Sequence, residues 1–183
     1  SVCAYASALA KGELTEDSPV GKPCSAYEFC KQEQERVTLE AVSRHKLKAS
    51  IIRPGNVFGE GSGPWVNSIS EALKQEQPIL MGSGDWDAGL CHVNNLVQIL
   101  IAAARSEHNG GEVFNAADGF GVTWNTYLHR LAQVIGAKPP KRVPNTVARF
   151  AAPIMEGIAR LRRQEQRPLL TRQLFRLMGG PNV

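Results

Sequence analysis

The chain has 183 residues, of which 43% are hydrophobic and 21% charged, with a formal net charge of +4. This is the balance of a globular domain with enough apolar material for a core, and it excludes a disordered or collagen-like chain. The basic residues are scattered as far as Arg149, without the Lys/Arg face and interleaved aromatics of a nucleic-acid binder, so no nucleic-acid partner is expected.

Residues 1–10 read as the end of a buried strand running into a loop, and residues 11–25, rich in Gly, Pro, Ser and charge, as a polar surface loop. Ser25 is a natural N-cap for a long helix reaching about His45, with Tyr27, Cys30, Val37, Ala41 and Val42 on its buried side. Residues 47–53 form a short strand that Pro54 and Gly55 end. A second helix runs from Trp65 to about Gln75, and residues 78–81 are extended until Gly82 and Gly84 break them. Asn94 or Asn95 caps an apolar helix whose near-continuous hydrophobicity predicts burial. Residues 112–116 are a strand. Thr123 caps a helix to about Ile135, with Gly136 as its left-handed stop. Residues 141–143 make a short strand, followed by helices near 145–162 and 171–178, the latter capped by Thr171. Strands and helices alternating at these lengths indicate an α/β fold with parallel crossovers.

Tyr27 and Lys31 stand four residues apart on one helix face. A free phenol ionises near pH ~10, too high for efficient proton transfer at neutral pH, and an adjacent ammonium favours the phenolate. Tyr and Lys at this spacing also occur commonly as a core ring beside a solvated amine. Ser1, at what reads as a strand end, and the turn from Arg53 to Gly59 turn the pair into a constellation. All lie where ligands bind in parallel sheets, outside the carboxyl ends of the strands.

Taken in order, these elements are Ser1, Glu16 ahead of Pro19, and Tyr27/Lys31 with Glu35 four residues on. Arg53-Pro54-Gly55-Asn56-Val57-Phe58-Gly59 follows, then Gly82-Ser83-Gly84, Cys91-His92-Val93-Asn94-Asn95-Leu96, and Phe114-Asn115-Ala116 ahead of Thr123-Trp124. The series resembles the extended short-chain dehydrogenase/reductases of the NAD-dependent epimerase/dehydratase kind over nearly the whole chain. Asn94 and Asn95 depart from the family's acidic usage there. The family's G-x-x-G-x-x-G turn, which seats a pyrophosphate on a helix N-terminus, is not supplied by this sequence. Gly59 to Gly63 is Gly-rich but follows the wrong strand. The chain is therefore expected to be the C-terminal portion of a longer enzyme and inactive alone.

The resemblance implies the C-terminal part of a Rossmann-like parallel sheet plus a small mixed α/β substrate-binding region. Residues 1–60 would form the catalytic part. Residues 61–183 would be mostly substrate-binding, with helix 94–106 and strand 112–116 returning to the Rossmann-like sheet. It further implies NAD or NADP as hydride carrier, with Tyr27 moving the proton and Lys31 assisting Tyr27 and bonding the ribose. Ser1 would hold the substrate oxygen, Pro54, Asn56 and Val57 would touch the cofactor, and Asn56 and His92 would face the substrate. The partner is then a small hydroxy or keto compound, sterol-like or a nucleotide sugar, and the assembly a homodimer through long helices, the Tyr27 helix among them. The tail resembles the 3β-hydroxysteroid/sterol dehydrogenase branch, whereas a nucleotide sugar would call for Arg172 or Arg176 at the pocket. A non-catalytic family member serving as a binding or regulatory module is the alternative.

Other residues read more plainly. Cys3, Cys24, Cys30 and Cys91 form no C-x-x-C pair and match no zinc spacing, so reduced thiols, a cytoplasmic setting and no metal are expected. Cys30 reads as packing, His45, His108 and His129 as surface, and Trp65, Met81 and Trp86 as pocket or core. No apolar run has the ~18 residues that suggest a membrane span. The helix near 145–162 carries Val147, Phe150, Ala151, Ile154 and Ile158 on one side and Arg149, Arg160, Arg162 and Arg163 mainly elsewhere. Such a basic amphipathic helix suits a membrane surface, and the reading adopted is a cap over the substrate cleft.

Overall fold

The computed structural model describes residues 1–9, 12–107, 110–161 and 171–180. Six strands pair in three parallel two-stranded ladders. β1 (Ala49–Pro54) pairs with β5 (Gly110–Ala116), β2 (Asn56–Phe58) with β4 (Leu90–His92), and β3 (Pro78–Met81) with β6 (Lys141–Val143). The helices are α1 (Ala26–His45), α2 (Ser68–Lys74), α3 (Val93–Arg105), α4 (Trp124–Val134), α5 (Asn145–Leu161) and α6 (Arg172–Met178). Parallel strands joined through helices make this the expected α/β fold of Rossmann-like type.

Gly55 is where the chain changes ladders. Its N–H donates to the Ala116 carbonyl at 2.9 Å, at the end of the β1–β5 pairing, and the next N–H, of Asn56, donates to Gly89 O at 2.7 Å. A Cβ at Gly55 would strike the Gly89 carbonyl oxygen, so the crossing admits glycine alone. The switch splays the strand ends apart and opens a crevice at their carboxyl side.

Local chemistry explains the helix starts. Ser25 Oγ accepts from the Glu28 N–H at 3.1 Å, while Glu28 Oε2 accepts from the Cys24 N–H at 2.6 Å, a reciprocal cap one residue out of the usual register. Thr123 and Thr171 cap α4 and α6 as expected, and Gly136, at φ 66°, ends the α4 turn. For α3 the cap is His92, whose Nδ1 accepts from the Asn94 N–H at 3.3 Å, not either asparagine.

Other expectations are corrected. Val2–Ala8 is a 3-10 segment rather than a strand, begun by the Ala4 N–H donating to Ser1 O at 2.8 Å and kinked at Ala6, φ 50°. A short apolar run does not distinguish a buried strand from a buried turn of helix. On α1 the wholly buried side chain is Glu28, whereas Tyr27, Cys30 and Val37 are exposed. α3 has no buried residue, with Val97, Leu100 and Ile101 exposed. α5 buries Ala148 and Ala152 and turns Val147, Phe150, Ile154 and Ile158 outward, so that side does not cap the cleft. The 145–162 and 171–178 expectations otherwise agree with α5 and α6, while residue 162 and His108 lie outside the described residues.

The main core joins α2, β3, α4 and the inner side of α5 around Trp124 and Leu128, both 0% exposed. A smaller cluster of Val2, Tyr5, Leu9 and Leu177 sits under the 3-10 segment, and Trp65 packs against both. All four cysteines are free thiols. Among the described residues no helix is long and apolar enough to cross a membrane, and no His, Cys, Asp and Glu cluster forms a metal site.

Candidate active site

A cavity of about 860 Å³ lies in the crevice beside the strand switch. Its lining includes Ser1, Tyr27, Lys31, Pro54, Asn56 and Val57, so residues far apart in sequence meet at one opening. Volumes of roughly 300–1,000 Å³ suit a small ligand with a cofactor fragment.

Each side chain reaches the cavity for a local reason. Tyr27 and Lys31 lie one turn apart on α1, and Lys31 Nζ stands 5.3 Å from the centroid of the Tyr27 ring. The same ammonium donates to the neutral Gln34 Oε1 at 3.0 Å, which leaves two of its protons for a ligand. The Tyr27 ring is 40% exposed and open to the cavity. Ser1 Oγ accepts from the Cys3 N–H at 3.3 Å, a bond that leaves its own proton free to donate. Pro54 to Val57 enter as backbone at the strand switch. Asn56 also lines the cavity, but its Nδ2 donates to the Ala88 carbonyl at 2.6 Å and the residue is buried, so that N–H is already used in holding the β4 approach.

His92 is not among the lining residues; besides capping α3, its ring stands edge-on to Phe58 at 5.1 Å. Trp65 lines the cavity, whereas Met81 is core and Trp86 is solvent-exposed. Glu16 is used structurally. Its Oε1 accepts from the Asn115 N–H at 2.7 Å, and that bond is the main reason its carboxyl sits below the usual range. Glu35 holds Arg53 in a two-point pair, Nε to Oε1 3.0 Å and Nη2 to Oε2 2.8 Å. Burial alone works against the Arg53 charge, yet the Glu35 and Tyr5 hydrogen bonds together raise its pKa.

Sequence reading missed the C-terminal wall. Leu177 of α6 lines the cavity, and its carbonyl accepts from Trp124 Nε1 at 3.0 Å. Arg176, its neighbour, reaches Cys24 Sγ at 2.8 Å and Glu28 Oε1 at 3.5 Å, joining α6 to the first turn of the Tyr27 helix. Burial, then the Glu28 carboxylate, pushes the Cys24 thiol up. The Ser25-x-x-Glu28 pattern signals a cap for α1, but no local pattern announces a partner 148 residues away.

Comparison with known proteins identifies the family. The family model described as the NAD dependent epimerase/dehydratase family matches residues 1–117. A curated relative is the 4-hydroxy-2-methyl-3-oxo-4-farnesyl-3,4-dihydroquinoline-1-oxide ketoreductase of Stigmatella aurantiaca. It is 26% identical over 170 residues, covering 91% of this chain and 50% of the relative. Among solved structures, dTDP-glucose 4,6-dehydratase from Bacillus anthracis, in complex with NAD, aligns with a TM-score of 0.62 and 19% identity. That alignment covers 79% of this chain and 47% of the dehydratase. The human epimerase family protein SDR39U1, with NADPH, aligns at TM-score 0.61 and 18% identity over 94% of this chain and 51% of its own. The chain thus spans about half the length of the relatives it matches. With its matched segment carrying the Tyr27, Lys31 and Arg53–Gly59 elements, the chain belongs to the NAD dependent epimerase/dehydratase family.

Proposed function

We propose that this chain supplies the acid/base half of an NAD- or NADP-dependent oxidoreductase or epimerase acting on a secondary alcohol or ketone. The observation that carries the reading is the convergence of Ser1, Tyr27 and Lys31 with the Pro54–Val57 backbone on one cavity. Residues 1–60 form its catalytic part and residues 61–183 mostly its substrate side.

The donor set suits a dinucleotide's nicotinamide end. Lys31 offers spare ammonium protons to a ribose, and Pro54 and Val57 offer an apolar backbone wall for a flat ring. NAD or NADP, when bound, supplies or accepts the hydride. The chain's own residues handle the oxygen. Tyr27 Oη takes the hydroxyl proton in oxidation and returns it to the carbonyl oxygen in reduction. Ser1 Oγ–H donates to that oxygen and stabilises the charge that gathers there. The Lys31 ammonium, 5.3 Å from the ring centroid, places a positive charge beside Tyr27 where the proton is exchanged. The ketoreductase relative and the NAD- and NADPH-bound structural relatives support this reading.

Tyr27→Phe in the full-length protein is the test. Its ring is exposed, so folding is preserved, and kcat falls about 10²–10⁴-fold, the span of general acid–base assistance. Turnover within a few fold of the parent rejects Tyr27 as the proton carrier and leaves the non-catalytic alternative standing.

A further inference from the structure

We infer that the substrate end of this cavity takes an uncharged, largely apolar ring alcohol or ketone rather than a nucleotide-diphosphate sugar, an inference that rests on the proposed role of Tyr27.

The lining of the cavity includes the apolar side chains of Val2, Phe58, Pro64, Trp65, Val93 and Leu177. Two of these are held rigidly through their backbones. The Trp65 carbonyl accepts from Tyr127 Oη at 2.6 Å, and the Leu177 carbonyl from Trp124 Nε1 at 3.0 Å. A fixed apolar wall gains most from a ligand that offers apolar surface to it.

Charge points the same way. A diphosphate needs cations, preferably the guanidinium fork. Among the described lining residues Lys31 is the sole cation, and its place beside Tyr27 commits it to the reacting end. Two carboxylates line the same cavity. Glu35 is matched by Arg53, whereas Glu60 is exposed at the opening and would repel a phosphate.

The two arginines of α6 are nearest in sequence to the Leu177 wall, and both are already paired. Arg172 Nε donates to Glu156 Oε2 at 2.8 Å. Arg176 pairs with Glu28, which is 0% exposed. Drawing Arg176 away to a ligand would leave the buried Glu28 carboxylate without its cation and held by the Cys24 N–H alone, an unfavourable exchange. Neither arginine lines the cavity.

The test uses the full-length protein loaded with NAD(P)+ and two probe types, trans-2-decalol with 1-(2-naphthyl)ethanol as apolar secondary alcohols, and UDP-glucose. Binding is measured calorimetrically on the Tyr27→Phe variant, which separates recognition from chemistry. Turnover is measured on the parent. The apolar alcohols are expected to bind at least about tenfold more tightly than UDP-glucose, with a comparable preference in kcat/KM. In the Glu60→Arg variant UDP-glucose affinity is expected to rise by about tenfold or more. Tighter binding of UDP-glucose to the parent site overturns the inference, as does failure of both apolar alcohols to bind up to their solubility. Retained turnover in Tyr27→Phe instead overturns the acid/base reading and leaves the binding preference to be judged by calorimetry alone.

Discussion

The Arg53 guanidinium lies between Glu35 and Tyr5, paired with the carboxylate at two points and 4.6 Å from the phenol ring's centroid. Glu35 is on α1 about two turns beyond Tyr27, and Arg53 is the last residue but one of β1, just before the Gly55 switch. The pair therefore fixes the spacing between the helix that carries Tyr27 and Lys31 and the turn that lines the cavity. Arg53 Nη1 also reaches the Glu16 carbonyl at 3.5 Å, which brings the preceding loop into the same network.

Breaking this pair from one side should be costly, because both side chains are about nine-tenths buried, at 7% and 13% exposed. Arg53→Ala is expected to lower unfolding free energy by about 3–5 kcal/mol, since it strands the Glu35 carboxylate. The double variant Arg53→Met with Glu35→Leu should recover most of that loss. Urea unfolding of the parent, Arg53→Ala and the double variant measures it. A loss below about 1 kcal/mol in Arg53→Ala would assign the pair a surface-like value and remove its role as a clamp.

Trp124 makes a second long-range tie. Its indole is 0% exposed and its N–H reaches the Leu177 carbonyl, so it holds α6 and the Leu177 wall against the main core. Trp124→Phe keeps most of the ring volume and deletes that donor, so a loss of about 0.5–1.5 kcal/mol is expected for the one hydrogen bond removed. Trp124→Ala adds a cavity and should cost about 3–5 kcal/mol. Hydrogen exchange gives the local signature: in Trp124→Phe the amides of α6 should lose protection before those of α4. Uniform loss across both helices would show that the indole N–H does not act on α6 in particular.

Alkaline pH should loosen the opposite wall. Burial raises the Tyr127 phenol from 10.0 to about 12, and the proton it keeps is the one donated to Trp65 O. Because the folded pKa lies above the unfolded one, the unfolded chain releases this proton first as pH rises. The contribution is thus whole below pH 10 and is lost progressively towards pH 12. Tyr127→Phe removes this dependence. Stability followed against pH by thermal unfolding should show a steeper fall between those values in the parent than in Tyr127→Phe, and parallel curves would count against the burial of the Tyr127 phenol.

The elements that sequence described well are those fixed by neighbours in the chain. Ser25, Thr123, Thr171 and Gly136 set helix ends through contacts within a turn, and the Tyr27–Lys31 spacing places both groups on one face whatever packs around them. The family elements from Arg53 to Gly59 likewise came together at the strand switch. Burial was less legible. Val97, Leu100 and Ile101 on α3 make an apolar face, but a pattern of apolar residues says nothing of what lies against it, and here they are exposed. His92 escaped notice as a cap because imidazole is an unusual acceptor beside Ser, Thr, Asp and Asn. Arg176 with Glu28, and Trp124 with Leu177, join residues 148 and 53 positions apart, and only the folded chain brings them together.

The cavity's own chemistry also sets a limit on what this chain binds. In the proposed function Lys31 and the Pro54–Val57 backbone would address the nicotinamide and its ribose, while the sequence offers no G-x-x-G-x-x-G turn to seat a pyrophosphate on a helix N-terminus. Phosphate recognition supplies much of a dinucleotide's affinity, through backbone N–H groups aimed at its oxygens. Fluorescence titration of the 183-residue chain with NADH and NADPH is therefore expected to show no saturation below about millimolar concentration, a binding free energy weaker than about −4 kcal/mol. The full-length protein should bind with a dissociation constant at least about a hundredfold lower, and Lys31→Met should weaken that binding about tenfold by removing the ribose donor. Saturable micromolar binding to the 183-residue chain would place a complete dinucleotide site within these residues and contradict the division of labour drawn from its cavity.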